Sequence, residues 1–476
     1  MSKFKLLMEN FLIYGFGGIM NKIIPLVMIP IVTRMMPDTS YFGINDMFNT
    51  IISLSSSLAI MGMYDAMYRM FFEKEDKDFK KDVCSTAFVF TFFTSIAVFV
   101  LMILFRQPIA ELMLGKSEYG YIVCISAVAT LVGTTNNIVA TPTRMQNKRG
   151  IYIFMNILSP VLSYSMAIPL LLNGYYLLAL PAAGTISAIL NELVFIILNH
   201  KWFSFKRFSF KCLKPMLFIA LPLLPNLYWI FNSFDKIMVT NMLGMEVTGI
   251  YSVGSKLGQV GQLIYTAFAL GWQYFAFSTM KDKDQVTTNS KIFEYLGVVS
   301  FSCSLLVFAL SRTIFQLLFS EEYLEGYTVA PYLFLSPLLL MLFQVSCNQF
   351  MIIKKTWPNF LILSAGAIVT VIFDYCFIPI MGIEGAAIAA VMGPTISNII
   401  CVLVLKHMKL MKISVKFIMI VLSTIGYIIV WRFFLRENAV VATVLAIITI
   451  ICYILIYKNE ILSTIKIRKN SGKKET

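Results

Sequence analysis

Residues 84–105 read CSTAFVFTFFTSIAVFVLMILF, an uninterrupted run of 22 residues without a charged side chain. A helix that crosses the hydrocarbon core of a bilayer needs about 20 apolar residues, so this segment predicts a membrane span. The whole chain has the same character: 58% of its 476 residues are hydrophobic and 13% are charged, against roughly 25% charged in soluble domains. This composition excludes an ordinary soluble enzyme and a disordered or fibrous protein.

Fourteen runs of this kind follow one another along the chain. They predict an all-α, polytopic membrane protein with about 14 transmembrane helices, joined by loops too short for a soluble domain. The predicted spans lie at about 11–36, 41–64, 84–105, 119–141, 151–172, 176–199, 215–242, 247–276, 293–318, 329–353, 360–381, 385–405, 414–434 and 440–457.

The positive charges predict the orientation of these spans, because cytoplasmic loops are enriched in Lys and Arg. If the N-terminus is cytoplasmic, 30 of the 39 Lys and Arg residues fall on that side and six on the opposite side. The remaining three, Lys22, Lys236 and Lys256, fall within spans. We therefore expect both termini in the cytoplasm. The net charge of +14 reflects this topology and does not indicate nucleic-acid binding, which requires a clustered basic surface.

A weak internal repeat relates the first six spans to the next six. Gly43 and Gly249, near the starts of the second and eighth spans, are 206 residues apart, and His200 and His407, which close the sixth and twelfth, are 207 apart. Lys148 and Lys355 show the same offset of 207. Transporters built from such repeats hold their substrate at the interface between the repeats, near the membrane midplane.

The repeat predicts the domain organisation. Residues 1–205 form an N-terminal six-helix lobe, residues 206–412 form a C-terminal six-helix lobe, and residues 413–476 supply two additional helices and a basic cytoplasmic tail. Because six is an even number, the two lobes are expected to have the same orientation in the membrane.

The three lysines within the predicted spans are the first candidates for a binding site, since an ionisable group in hydrocarbon is costly unless it is paired or hydrated. Lys22, Lys236 and Lys256 would give a cationic cavity, whose simplest ligand is an anion such as a phosphate or pyrophosphate headgroup. Arg34 and Arg69, at span ends near opposite membrane faces, are candidate contacts for the arriving or departing headgroup. The alternative is that Lys22 and Lys256 reach to the interface or pair with Asp46, Asp65 or Asp374, and that Arg34 and Arg69 reach to the interface.

Polar side chains on the spans are candidates to line the cavity, although hydrogen bonding between packed helices would explain them too. These cavity candidates are Asn21, Asn49, Asn232, Ser255, Gln259 and Gln344. Four aspartates are candidates for ion coupling, with a structural ion pair as the alternative for each: Asp46, Asp65, Asp235 and Asp374. We predict no catalytic residues, metal site or cofactor, because the cysteines occur singly and both histidines lie at helix ends.

Several short stretches resemble a known family. IPIVTRMMP at 29–37, followed by YFG at 41–43, resembles the end of the first helix in polysaccharide flippases, which belong to the multidrug/oligosaccharidyl-lipid/polysaccharide exporter superfamily. Similarity to the start of that family's second half is carried by LPLLPN at 221–226, NSFDK at 232–236 and GIYSV at 249–253, and residues 321–385 also resemble it.

The resemblance implies a non-enzymatic flippase of the O-antigen or capsule type. Such a protein moves undecaprenyl-pyrophosphate-linked oligosaccharide across the bacterial cytoplasmic membrane by alternating access, for surface polysaccharide biosynthesis. It implies a multi-pass monomer among membrane lipids, with a polysaccharide polymerase as an assembly partner. Cationic cavity residues are implicated in holding the pyrophosphate, and by position Lys22 and Lys256 take this role. Lys236 is a weaker candidate, because the family's Asp-Lys pair can instead fix the helix.

Three other functions stay open at this point. A peptidoglycan-precursor lipid flippase would share the fold and the anionic lipid. A cation-coupled multidrug exporter would need a cavity dominated by carboxylates, which the three lysines oppose. A membrane-embedded polysaccharide polymerase or glycosyltransferase would need catalytic groups in a sizeable loop, whereas the longest predicted loops are about 20 residues.

Overall fold

The structure, a computed structural model, describes residues 22–146, 148–220, 233–279, 282–353, 357–458 and 460. Throughout these ranges the regular structure is helical and contains no β-strand. The all-α fold class predicted from the sequence is therefore confirmed.

Ten α-helices are described between residues 22 and 220. They are α1 (22–35), α2 (Thr39–Ile60), α3 (Met63–Phe71), α4 (Lys77–Leu104), α5 (Arg106–Leu114), α6 (Gly120–Val139), α7 (Thr141–Met145), α8 (Arg149–Leu172), α9 (Tyr176–Asn199) and α10 (Phe210–Ala220).

Eight further helices are described after residue 232. They are α11 (Asp235–Leu243), α12 (Met245–Ser278), α13 (Gln285–Leu318), α14 (Ala330–Ile352), α15 (Trp357–Met381), α16 (Ile383–His407), α17 (Val415–Val430) and α18 (Ala439–Ile456).

The second predicted span is broken near its C-terminal end. Asp38 caps α2 by accepting a hydrogen bond from the Ser40 amide at 2.8 Å. At the other end Met61 and Gly62 both have positive φ, 48° and 70°, a conformation that stops a right-handed helix. As a result α3 leaves α2 at an angle of 49° and carries Tyr64 and Arg69 on a separate short helix.

The membrane-spanning character predicted from hydropathy is confirmed. Ten described helical segments are long and apolar enough to cross a bilayer, and the bent α2–α3 pair makes an eleventh. These eleven correspond to predicted spans two to six and nine to fourteen. The predicted spans 11–36 and 215–242 include residues outside the described ranges, and the eighth corresponds to the 34-residue helix α12.

The helices group into two compact units. One comprises Met1–Val253 together with Asp374–Ala386, and the other comprises Gly254–Phe373 together with Ala387–Thr476. Residues 206–253, which the repeat assigns to the C-terminal lobe, group with the first unit. The division into lobes at residue 205 stays a prediction.

In the first unit, α6 lies at the centre and packs against α2, α4 and α9, and α8 runs along α9. The buried face of α6 carries small hydroxyl residues that allow close approach between membrane helices. Ser126 and Thr134, for example, donate to carbonyls one turn earlier on α6, at 2.9 and 2.6 Å. Large apolar side chains such as Leu104 and Phe218 point outward, 70% and 84% exposed, as expected for a surface in contact with lipid.

In the second unit, α14 is the most deeply buried helix. Glycines on α12 allow α12 and α14 to pack closely. A Cβ atom on Gly261 would lie 2.4 Å from the Phe334 carbonyl oxygen. The two additional helices, α17 and α18, are attached to α13 through Glu294. This carboxylate accepts hydrogen bonds from the Ser414 amide at 2.6 Å and from the Tyr457 hydroxyl at 2.9 Å.

Candidate functional site

The closest helix packing in the first unit occurs where α2 meets the start of α12. A Cβ atom on Gly249 would lie 1.9 Å from the Thr39 carbonyl oxygen, and one on Gly43 would lie 2.6 Å from that of Met245. The Thr39 hydroxyl donates to the Glu246 carbonyl at 2.8 Å. Gly43 and Gly249 are the glycines that revealed the repeat, so repeat-related positions pack against each other here.

A buried ion pair lies one turn further along α2. Lys236 Nζ on α11 is 2.7 Å from Asp46 Oδ2, and the Ser252 hydroxyl donates to the same oxygen at 2.9 Å. Asp46 is 1% exposed and Lys236 is 7% exposed. Asp46 and Ser252 are themselves 206 residues apart, which is the offset of the repeat.

Asp235 extends this polar group. Its carboxylate accepts a hydrogen bond from the Lys236 amide at 2.8 Å and another from the Tyr251 hydroxyl. We call these five residues, Asp46, Asp235, Lys236, Tyr251 and Ser252, the Asp46–Lys236 cluster. The structure thus brings together three predicted site residues, Asp46, Asp235 and Lys236. Lys236 is paired with Asp46, and Asp235 is held by hydrogen bonds.

Asp374 on α15, in the same unit, has a different environment. It is completely buried, and neither carboxylate oxygen has a hydrogen-bond partner among the described residues. An unpaired carboxylate in such a place is costly as an anion. Asp65, the fourth predicted coupling residue, is exposed in the first turn of α3.

The other predicted cations are more accessible than Lys236. Lys22 and Arg34 on α1 and Arg69 on α3 are exposed, and Lys256, in the second unit, is half-buried. Arg69 and Lys214 line a groove of about 970 Å³ between α3 and α10. The rest of the groove is Glu73 and a largely apolar set: Met70, Phe72, Pro215, Leu217, Phe218 and Ile219.

The predicted polar cavity residues occupy different environments. Asn49 is exposed, and its side chain donates to the Asn45 carbonyl of its own helix at 2.8 Å. In the second unit, Ser255 is buried, Gln259 is exposed, and Gln344 is half-buried. The Gln344 side-chain oxygen has no hydrogen-bond partner among the described residues. Asn21 and Asn232 lie outside the described residues.

A polar pocket that sequence reasoning missed lies within the first unit. It has a volume of about 240 Å³ and is formed by α3, α6, α7, α8 and α9, with Arg144 as its cation. Arg144 falls between the fourth and fifth predicted spans, in a loop predicted to be cytoplasmic. Asn137 and Thr141 belong to the fourth predicted span, but the contributions of Tyr64, Tyr152 and Asn191 required the tertiary structure.

The sequence matches the family described as polysaccharide biosynthesis protein over residues 31–328, more than half of the chain. The chain belongs to this family. No match is found among curated proteins. The resemblance stated from the sequence motifs is therefore confirmed at the level of the polysaccharide biosynthesis family.

Solved structures show which fold this chain shares. It is similar to a lipid II flippase MurJ in an inward closed conformation, with a TM-score of 0.70 and 15% identity over 94% of this chain and 99% of that one. It is also similar to an inward-facing multidrug resistance MATE family transporter of the MOP superfamily, with a TM-score of 0.57 and 15% identity over 83% of this chain and 94% of that one. An outward-facing MATE structure gives a TM-score of 0.59 at 14% identity, over 85% and 95% of the two chains. The chain thus has the fold of MOP-superfamily transporters.

Proposed function

We propose that the protein is a flippase that moves undecaprenyl-pyrophosphate-linked oligosaccharide repeat units across the bacterial cytoplasmic membrane, for surface polysaccharide biosynthesis. Membership of the polysaccharide biosynthesis family and the transporter fold support this assignment. The distribution of Lys and Arg supports cytoplasmic termini. We also infer that the chain acts as a monomer and that a polysaccharide polymerase uses the translocated glycan.

The observation that carries the proposal is the groove between α3 and α10. Arg69 and Lys214 place two cations beside an apolar wall that includes Phe72, Leu217 and Phe218. Arg and Lys bind phosphate oxygens through charge-assisted hydrogen bonds, and an apolar wall removes hydrocarbon from water. A phosphate headgroup on a prenyl chain supplies both the anionic oxygens for the two cations and the hydrocarbon for the apolar wall. The groove holds two cations and one carboxylate, Glu73, so its net positive charge favours an anionic headgroup over a cationic drug.

Lys22, Lys256 and Arg34 are the further headgroup contacts in this proposal. The Lys236 charge is held by Asp46 at 2.7 Å, so we assign Lys236 a positioning role and leave headgroup binding to the more accessible cations. Asn49, Ser255, Gln259 and Gln344 remain candidates for the polar lining of the path.

Asp374 is the carboxylate that we propose for ion coupling. Asp46 and Asp235 are engaged within the Asp46–Lys236 cluster, and Asp65 is exposed. Asp374 is buried without a hydrogen-bond partner among the described residues, so a proton or a bound cation would neutralise it. We expect Asp374→Asn to remove any dependence of transport on a pH or sodium gradient while the fold is kept.

Transport of a fluorescent lipid-linked glycan in proteoliposomes tests the flippase assignment. We expect Arg69→Ala with Lys214→Ala, and separately Lys22→Ala with Lys256→Ala, to reduce the rate by at least about tenfold, since each charge-assisted contact contributes roughly 1.5–3 kcal/mol. The control is Lys201→Ala with Lys206→Ala, two exposed cations outside the groove. Unchanged rates in both test pairs would show that the headgroup site is wrong, and efflux of drugs without glycan transport would overturn the function.

A further inference from the structure

The pocket around Arg144 is built from short local features. Pro142 lacks an amide hydrogen and lies in the first turn of a new helix, α7, which follows α6 directly. The Asn199 side chain on α9 then holds α7 in place by donating to the Val139 carbonyl at 2.9 Å and to the Thr143 hydroxyl at 2.8 Å. This arrangement fixes the backbone that carries Arg144. We call the cavity the Arg144 pocket.

Nine of the twelve residues that line the pocket have polar side chains, and none is acidic. The lining residues are Tyr64, Asn136, Asn137, Ala140, Thr141, Arg144, Tyr152, Met155, Asn156, Ser159, Asn191 and Phe195. Such a density of amides and hydroxyls is unusual between membrane helices, where polar side chains mark substrate pathways.

The guanidinium of Arg144 is oriented by two aromatic rings. It donates to the Tyr64 hydroxyl, and its Cζ atom lies 5.3 Å from the centre of the Tyr152 ring and 5.9 Å from that of Tyr64. No carboxylate among the described residues pairs with it. Arginine stays protonated and presents five N–H donors in a planar fork, so most of its donors remain for a ligand.

Two asparagine side chains in the pocket also have an unused hydrogen-bond acceptor. The side-chain oxygens of Asn136 and Asn191 are buried and have no hydrogen-bond partner within the described part of the chain. A buried acceptor without a partner costs about 1–3 kcal/mol, and one explanation for such an atom is a bound molecule that supplies the donor. The pocket therefore offers N–H donors for an anion next to acceptors for hydroxyl groups.

We propose that the Arg144 pocket binds a single monosaccharide that carries one anionic group, a carboxylate or a phosphate. The anion lies on the Arg144 fork, and the ring hydroxyls donate to Asn136 and Asn191. A volume of about 240 Å³ lies below the roughly 300–1,000 Å³ of sites for drug-sized ligands, which suits one sugar ring at a time. This inference deepens the proposed function and rests on it, because the sugar would be an acidic residue of the lipid-linked glycan.

A comparison with the repeat-related positions indicates that only the first half of the chain has the residues that would bind the anion. At the offset of 207, Asn137 corresponds to Gln344 and Asn191 to Asn398, so the amides recur. Arg144 corresponds to Met351 and Tyr152 to Asn359, so the cation and its stacking ring do not recur. An anion is therefore expected to bind in the first unit and not at the equivalent place in the second.

Calorimetric titration of the purified full chain in detergent tests the proposal, with glucuronate, glucose 1-phosphate and glucose as probes. We expect the two anionic sugars to bind more tightly than glucose. Arg144→Met and Asn191→Ala should each weaken glucuronate binding, Arg144→Met by about tenfold or more because a charge-assisted hydrogen bond is lost. Lys148→Met, which removes an exposed cation that does not line the pocket, should change the affinity less than twofold.

Three results would overturn the inference or part of it. If no anionic sugar binds at millimolar concentration, or if Arg144→Met binds glucuronate as wild type does, the pocket is not an acidic-sugar site. If glucose 1-phosphate alone binds, the ligand is a soluble sugar phosphate and the assignment to the glycan is wrong.

Transport measurements separate this inference from the proposed function. With lipid-linked glycans that do or do not contain a uronic acid, Arg144→Met should slow only the acidic glycan. Equal transport of both by the variant would reject the pocket and leave the flippase standing. If wild type transports neither glycan while glucuronate still binds at Arg144, the flippase proposal fails and the pocket stands as a site for an anionic sugar.

Discussion

The Asp46–Lys236 cluster and the Arg144 pocket are both polar regions of the first unit, and each contains one cation. In the cluster the cation is 7% exposed and lies 2.7 Å from a carboxylate, which also accepts from Ser252. In the pocket the cation is half-buried, its described partners are Tyr64 and Tyr152, and nearby amide oxygens lack donors. In the cluster the cation is paired with a carboxylate, and in the pocket the cation faces a cavity.

This difference separates a structural charge from one available for binding. A buried ion pair compensates the cost of removing two charges from water only while both partners are present. A cation that faces a cavity can be removed without leaving a buried carboxylate unpaired. Its hydration water can be replaced by a ligand. We therefore expect the two cations to respond in opposite ways when each is replaced by the same apolar side chain.

The largest effect is expected for Lys236→Met. The substitution leaves Asp46 buried without its cation, which should reduce the free energy of unfolding by about 3–5 kcal/mol. Reversible unfolding in detergent micelles measures the change. Adding Asp46→Leu should recover much of the loss, because Asp46 is then no longer a buried carboxylate without its cation. Full stability of the single variant would show that the ion pair does not support the fold.

A smaller loss is expected for Gly249→Ala at the helix contact next to the cluster. The new methyl group would lie 1.9 Å from the Thr39 carbonyl oxygen, so the helices must separate, at a cost of about 1–3 kcal/mol. Gly133→Ala is the matched control, because Gly133 lies inside α6 and a Cβ atom there meets nothing within 4 Å. The control should unfold as wild type does or be slightly more stable, and equal losses in both variants would contradict the packing argument.

Arg144→Met should change stability by about 1 kcal/mol or less, since one hydrogen bond to a neutral hydroxyl and partly exposed ring contacts are lost. The same unfolding measurement applies, which makes the comparison with Lys236→Met direct. A loss as large as that of Lys236→Met would mean that Arg144 belongs to the structural framework and would weaken its assignment to a ligand.

The smallest effect is expected at the Glu75–Lys80 pair at the start of α4, where the Glu75 side chain is 95% exposed. Lys80 Nζ donates to Glu75 at 2.8 Å and lowers the pKa of that carboxyl below its usual range. Because the pKa is lower in the folded chain, any stabilisation is present above the unfolded pKa and is lost as the pH falls through the folded pKa. Glu75→Gln should therefore unfold at nearly the wild-type temperature at neutral pH, and the small difference should vanish in acid. A large difference at either pH would contradict the solvent-screened character of this pair.

The sequence allowed several features of these regions to be predicted. Hydropathy identified the spans, and the offset of 206 between Gly43 and Gly249 identified positions that the structure places in contact. Lys236 was recognised as a charge within the membrane, and the alternative to headgroup binding was an Asp-Lys pair that fixes the helix. The choice of Asp46 as its partner was not predictable, since 190 residues separate them and Asp65, Asp235 and Asp374 were equally available.

Arg144 is a residue whose environment could not be predicted from the sequence. Its position after an apolar run, close to Lys148, is typical of a topology residue on the cytoplasmic side. Only the packing of five helices surrounds it with Tyr64, Tyr152 and Asn191. No local pattern in the sequence distinguishes such an arginine from one that contacts lipid headgroups.

By itself the sequence determined that this protein is a multi-pass helical membrane protein and indicated which way it is oriented. Both follow from transfer of side chains between water and lipid, which each segment undergoes independently of the others. The tertiary structure alone decided that Lys236 is neutralised by Asp46 and that Arg144 faces a polar pocket. Whether a charge stabilises a fold or remains available to a ligand depends on atoms within a few ångströms, and these come from helices far apart in the chain.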